Sequence, residues 1–271
     1  MARIGSSPLS FPGFRGVTRQ LVLVNLVAFF ALLLFQAAAR DSASSLASAL
    51  VFTPSGFLHG LIFEPLTYSL VHSGILGTAF ELLSIWFLAG FLEDLHKSNW
   101  VLGLYVSAVV GTAAAALVIY EVSNVFRFTA DEVPLFGCFG GIFGMLVAIG
   151  VLYGDMEFLL FFTIGIKARH LAILYGLVSI AMLFSSQKMY AFAQLGGAAA
   201  GLLWIRLAPR RGVTFLFSEY LYGLRNRYYR WKRRRAAKKF EVYMKSQGRT
   251  VRFDGQGRQL DDDPDDKKRW N

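Results

Sequence analysis

Gly137-Cys138-Phe139-Gly140-Gly141-Ile142-Phe143-Gly144 lies inside an uncharged run from Val133 to Gly154. A helix needs roughly 20 mostly apolar residues to cross a ~30 Å hydrocarbon core, and this run is long enough. Gly140 and Gly144 stand four apart, as do Gly137 and Gly141. Small residues at that spacing let helix backbones approach closely in lipid. Gly197 and Gly201, with alanines between them, repeat the pattern near the end of a later run. The two glycine faces predict that these helices pack against each other.

Working outward, five more apolar runs flank this one. Gln20 to Ala39, Leu66 to Leu92 and Ser98 to Tyr120 precede it; His170 to Gln187 and Met189 to Ile205 follow. Six spans are therefore expected. The first could also be read as a signal peptide, since Ala37-Ala38-Ala39 resembles a cleavage site. Its apolar run exceeds a usual signal core of about 7–15 residues, which favours an uncleaved helix. Ser42 to Phe63 is uncharged but broken by Pro54, Gly56 and Gly60, and is expected at the outer interface. Phe158 to Ile166 is too short to cross and is expected at the inner interface or against the fifth span.

The composition agrees. Of 271 residues, 55% are hydrophobic and only 17% are charged, against about 25% charged in soluble domains. Up to Leu207 the chain has 10 Lys and Arg against 10 Asp and Glu; beyond it the counts are 18 and 8. This excludes a uniformly soluble globular protein and a disordered chain. The expected organisation is an N-terminus over residues 1–17, a membrane domain over 18–207 and a basic tail over 208–271, partly helical and then disordered. The Lys/Arg bias that orients membrane proteins puts both termini in the cytoplasm. Arg3, Arg15, Arg19, Lys97, Lys167 and Arg169 fall inside, and Arg40, Arg127 and Lys188 outside. A bacterial inner membrane is the default expectation.

Glu81 sits in the middle of the second run. A carboxylate there costs about 2.5–3.5 kcal/mol on insertion scales, so it must face the bundle or be protonated. It marks either a polar site or a packing hydrogen bond, with Gln194 as the expected partner. No Ser–His pair is evident among His59, His72, His96 and His170. Cys138 is the single cysteine. It allows no intramolecular disulfide, and there is no cysteine cluster to bind zinc. Neither a metal nor a cofactor is expected.

Several of these segments resemble the rhomboid family of intramembrane serine proteases, in order over roughly Thr18 to Leu207. Phe63-Glu64-Pro65-Leu66-Thr67-Tyr68-Ser69-Leu70-Val71-His72 is similar to the family's approach to its second helix, with Glu93-Asp94 in register beyond it. Pro134 through Gly144 is similar to the fourth-helix segment in which G-x-S-G carries the nucleophile. Lys167-Ala168-Arg169 is similar to a turn before the fifth helix. Ala193-Gln194-Leu195-Gly196-Gly197, with Gly201, resembles the sixth-helix A-H-x-x-G segment. The resemblance implies a six-transmembrane-helix rhomboid-like bundle.

The departures fall on the chemistry. The serine position is Phe139, the base position is Gln194, and the second-helix H-x-x-x-N positions are Gly77 and Glu81. Phenylalanine cannot attack a carbonyl, and glutamine cannot take up the proton. The resemblance therefore implies a pseudoprotease. Inactive relatives, including the inactive rhomboids and derlins, bind transmembrane clients. Two other readings compete: a residual peptidase using Cys138, and a transporter centred on Glu81. Against the first, Cys138 is one residue, or about 100° of helix, from the expected nucleophile.

The tail carries Arg225, Arg227, Arg230, Lys232, Arg233, Arg234, Arg235, Lys238 and Lys239 among Tyr228, Tyr229 and Trp231. Such a stretch beside a bilayer is drawn to anionic lipid, about 1 kcal/mol per basic residue. Nucleic acid is the less favoured alternative partner.

Overall fold

The computed structural model describes residues 12–126, 134–160, 164–184, 188–207, 213–248, 252–253 and 259–260. The chain divides into two units, Met1–Gly212 and Val213–Asn271. It is an all-α membrane protein apart from two short strand pairs. In the first unit the order is α1 (Gly16–Ala38), α2 (Arg40–Leu50), α3 (Pro54–Leu58), α4 (Glu64–Thr67), a 3-10 turn (Tyr68–Leu70), α5 (Ile75–Leu95), α6 (Ser98–Phe126), α7 (Phe139–Leu152), β1 (Glu157–Leu160), β2 (Ile164–Lys167), α8 (Ala168–Met182) and α9 (Lys188–Leu207).

Among the described residues, α1, α5 and α6 are long and apolar enough to cross a membrane. α7 and α8 are apolar but shorter, at 14 and 15 residues. α9 has 20 residues but includes Lys188, Gln194 and Arg206. In α1 the buried positions are Val17 and Thr18 in the first turn, then Leu21, Asn25 and Phe29 at intervals of about one turn. Most of its exposed surface is apolar, including Val24, Val27 and Leu34. An apolar surface of that extent is unfavourable in water and natural against lipid tails.

α1 begins without a side-chain cap of its own. Glu93, near the end of α5, supplies one. Its carboxylate accepts the N–H groups of Val17 and Thr18 at 2.8 and 2.9 Å and the Thr18 hydroxyl at 2.7 Å. A carboxylate there satisfies orphan donors and complements the helix dipole. Arg15 pairs with Asp94 at 2.7 Å, fixing α1 to α5 at the same end.

Small residues bring α6, α7 and α9 together. A Cβ on Gly201 would lie 2.8 Å from both Cα and O of Gly144. One on Gly197 would meet Thr112 and stand 3.0 Å from the Gly140 carbonyl. Gly144 faces Ala108, and Gly141 faces Tyr105. The two glycine faces thus meet as expected, and α6 closes against both. On α6, Gly111 packs against Ala200 and lies opposite the Gly196 carbonyl of α9, a contact the glycine spacing of two helices alone could not predict. Gly137 is an exception to the expected packing role: it precedes α7 and has φ +83°.

Three expected segments are reshaped. The run Leu66 to Leu92 is broken at residues 71–74, where Gly74 has φ +79° and α5 starts at Ile75. Ser42 to Phe63 forms the end of α2 and all of α3, and Phe52 exchanges both backbone hydrogen bonds with Leu135, ahead of α7. Of Phe158 to Ile166, the described residues 158–160 and 164–166 lie in the antiparallel pair β1–β2, with Glu157 opposite Lys167.

The second unit holds α10 (Val213–Ser246) and the pair β3 (Arg252–Phe253) and β4 (Gln259–Leu260). Thirty-four helical residues rise about 51 Å. The nine basic residues named for the tail are exposed. Arg225 lies over the Tyr222 ring at 4.8 Å and Arg235 over Trp231 at 4.9 Å. The acidic segment at residues 261–266, expected to be disordered, lies outside the described residues.

Candidate functional site

The break between the 3-10 turn and α5 builds the site. Residues 71–74 run non-helically, and the carbonyls of Val71 and Tyr68 accept the Gly137 N–H at 2.7 and 3.1 Å. Gly137 takes a positive φ, and a Cβ there would come 3.0 Å from Glu81 Oε2. Both facts require glycine. This turn aims Cys138 at α5 and starts α7 at Phe139.

Glu81 is buried from the middle of α5. Its Oε2 accepts the Cys138 N–H at 2.8 Å and the Cys138 thiol at 3.0 Å. The same oxygen lies 3.0 Å from His72 Nδ1. His72 Nε2 lies 3.2 Å from Asn25 Oδ1, and Asn25 Nδ2 donates to the Leu21 carbonyl at 2.8 Å. Four separate segments thus converge: α1, the 71–74 break, α5 and the start of α7. A carboxylate beside the N-cap of a helix, here Cys138 ahead of α7, is where the macrodipole favours negative charge, which offsets part of the cost of burying Glu81.

The expected pairing of Glu81 with Gln194 is not made. Gln194 instead accepts the Ser179 hydroxyl at 3.0 Å, joining α9 to α8. Geometry gives the reason: Glu81 is held by the turn ahead of α7, while Gln194 looks across to the helix that follows the hairpin.

Phe139 and Gln194 do come together. They line one small crevice with Tyr68, Thr112, Gly137 and Tyr190. The crevice holds about 10 Å³, room for one water at most. The Phe139 ring packs edge-on against Tyr190, whose hydroxyl donates to the Phe136 carbonyl at 3.3 Å. Phe139 is 36% exposed, whereas Cys138 beside it is fully buried. The two side chains therefore point different ways. Gly77 has nothing within 4 Å of where its Cβ would be, so no neighbour closes around that position.

His72, Asn25 and Ser179 lie outside the site expected from the sequence. His72 was legible in principle: a titratable ring inside an apolar run beside Glu81 belongs to the polar residues that mark functional positions in a membrane. Asn25 and Ser179 carry no local signal, since their roles come from contacts 47 and 15 residues away.

Residues 21–211 match the model of a family described as eukaryotic integral membrane protein (DUF1751), and the chain belongs to that family. No curated protein matches it. The family corrects the expected bacterial inner membrane to a eukaryotic membrane. Hydropathy and charge bias report a bilayer, and nothing in either distinguishes whose bilayer it is.

Proposed function

We propose that this member of the eukaryotic integral membrane family is a rhomboid-like protein that binds transmembrane client segments without cleaving them. The observation that carries the reading is the crevice shared by Phe139 and Gln194. It unites the two positions that the resemblance assigns to nucleophile and base, and neither residue can perform the chemistry. Its volume of about 10 Å³ leaves no room for a peptide carbonyl. In this reading α7, α8 and α9 complete a six-helix bundle around the three longer helices. α7, with nine buried residues, is short because it is enclosed by protein, the setting in which irregular backbone such as residues 137–138 is tolerated at membrane depth.

Cys138 does not replace the missing serine. Its thiol is fully buried and directed at Glu81, away from the crevice. The exposed apolar faces of α5 and α8, including Phe80, Leu83, Ile173 and Leu177, are the surfaces offered to a client helix. The basic residues of α10 hold the second unit to anionic lipid. Photo-crosslinkers at Leu83 and Ile173 test the binding reading: specific adducts with membrane proteins are expected, and labelling of lipid alone contradicts it.

A further inference from the structure

We propose that His72 Nδ1, Glu81 Oε2 and Cys138 Sγ form a binding site for a divalent transition metal, zinc by the chemistry of the donors. The proposal stands independently of the client-binding reading.

Asn25 orients the His72 ring. Its amide N–H is committed to the Leu21 carbonyl, so Oδ1 faces His72 Nε2. An acceptor in that position puts the ring proton on Nε2. Nδ1 is then the ring nitrogen that faces Glu81 Oε2, 3.0 Å away. An ionised carboxylate oxygen is also an acceptor. The position between the two atoms can hold a proton or a metal ion.

The third donor favours the metal. Cys138 Sγ lies 3.0 Å from the same oxygen, and the three ligand atoms all lie within 4.8 Å of one another. A tetrahedral zinc with bonds of ~2.0–2.3 Å sets its ligand atoms about 3.3–3.7 Å apart. The two pairs that share Oε2, at 3.0 Å each, widen by a few tenths of an ångström to reach that geometry, and Nδ1 and Sγ, within 4.8 Å of each other, close toward it by side-chain rotation. Nitrogen, oxygen and sulfur together form a donor set suited to zinc. One thiolate, one carboxylate and one neutral imidazole around a 2+ ion sum to zero charge, which suits a buried site.

The surroundings match as well. Ligating histidines give their other N–H to an acceptor, and ligating carboxylates are themselves hydrogen-bonded. Asn25 Oδ1 and the Cys138 backbone N–H supply those two partners. A cavity of about 350 Å³ between α1, α2 and the 71–74 break is lined by Phe29, His72, Ser73 and Gly74 and so reaches the His72 end of the cluster. Binding one ion expels two protons: one from the Cys138 thiol, and one held between His72 and Glu81.

The test uses the full chain in detergent, stripped with chelator and titrated with zinc, with cobalt as the spectroscopic probe. Cys138 is the only cysteine, so a thiolate-to-cobalt charge-transfer band reports this site alone. One metal per chain is expected, with the band present and two protons released. Cys138→Ser keeps a hydroxyl donor toward Glu81, so the fold is retained, and it should lose the band. Asn25→Ala should weaken affinity by about 10–100-fold, whereas Ser179→Ala should leave it unchanged. No band in the unmodified chain, or equal zinc content in the unmodified and Cys138→Ser proteins, overturns the proposal.

Discussion

Replacing Gly201 with alanine puts one methyl group where α9 meets α7. The new Cβ would stand 2.8 Å from Cα and O of Gly144 and 3.2 Å from its carbonyl carbon. All three are backbone atoms, so no side chain can rotate aside, and the helices must separate. Overpacking of this kind costs about 1–3 kcal/mol. Alanine also gains about 0.5–1 kcal/mol over glycine in a helix, so the bare stability change mixes two terms. Gly176→Ala separates them. Gly176 lies mid-way along α8 with nothing within 4 Å of its Cβ position, so it reports the propensity gain alone. Subtracting the two leaves a packing cost of about 1–3 kcal/mol. At one to two kcal/mol this is roughly a 5–30-fold change in the folded-to-unfolded ratio. Denaturant titration of both variants in detergent micelles measures it. A Gly201→Ala protein as stable as Gly176→Ala would refute the close approach of α7 and α9.

Three further outcomes follow from other contacts. Glu93→Ala removes the acceptor for Val17 and Thr18 and should cost about 1–2 kcal/mol, as lost helix caps do; unchanged hydrogen exchange in the first turn of α1 would contradict this. His96 stacks on Trp100 at 4.0 Å and lies 2.9 Å from the Tyr153 hydroxyl, and burial lowers its pKa. Below the ordinary histidine value of about 6.5 the unfolded chain binds the extra proton first. The stability from His96 is therefore full above that pH and lost as pH falls toward its folded pKa. The melting-temperature advantage of the unmodified protein over His96→Gln should shrink between pH 8 and pH 5, roughly the range spanning that value; a constant gap refutes it. Changing Arg233, Arg234 and Arg235 to glutamine should weaken attachment of α10 to anionic bilayers by about 3 kcal/mol. Protease protection in liposomes reads this, and equal protection on neutral lipid would contradict it.

The glycine pairs 140/144 and 197/201 predicted a close helix contact because backbone approach depends on a local repeat. Glu81 was legible as buried because a charge inside an apolar run has few places to go. Its partners were not, because the Glu81–Cys138 contact spans 57 residues and depends on one turn at Gly137. Gln194 is legible as a polar residue in an apolar helix, but its partner depends on which face each helix presents, and that is not written in the sequence locally. The short run before Lys167 lacked both a clear alternation and the length of a helix, and short apolar runs do not distinguish strand from helix. Position 74 broke the second run through a left-handed turn that no residue count reveals.

One gel tests the central claim. A model transmembrane segment carrying a photo-crosslinker is incubated with the purified protein, illuminated, and resolved beside the unilluminated sample. An adduct of the full-length segment and no cleavage fragments are expected. Fragments released by the unmodified chain would contradict it, because neither Phe139 nor the buried Cys138 could have produced them.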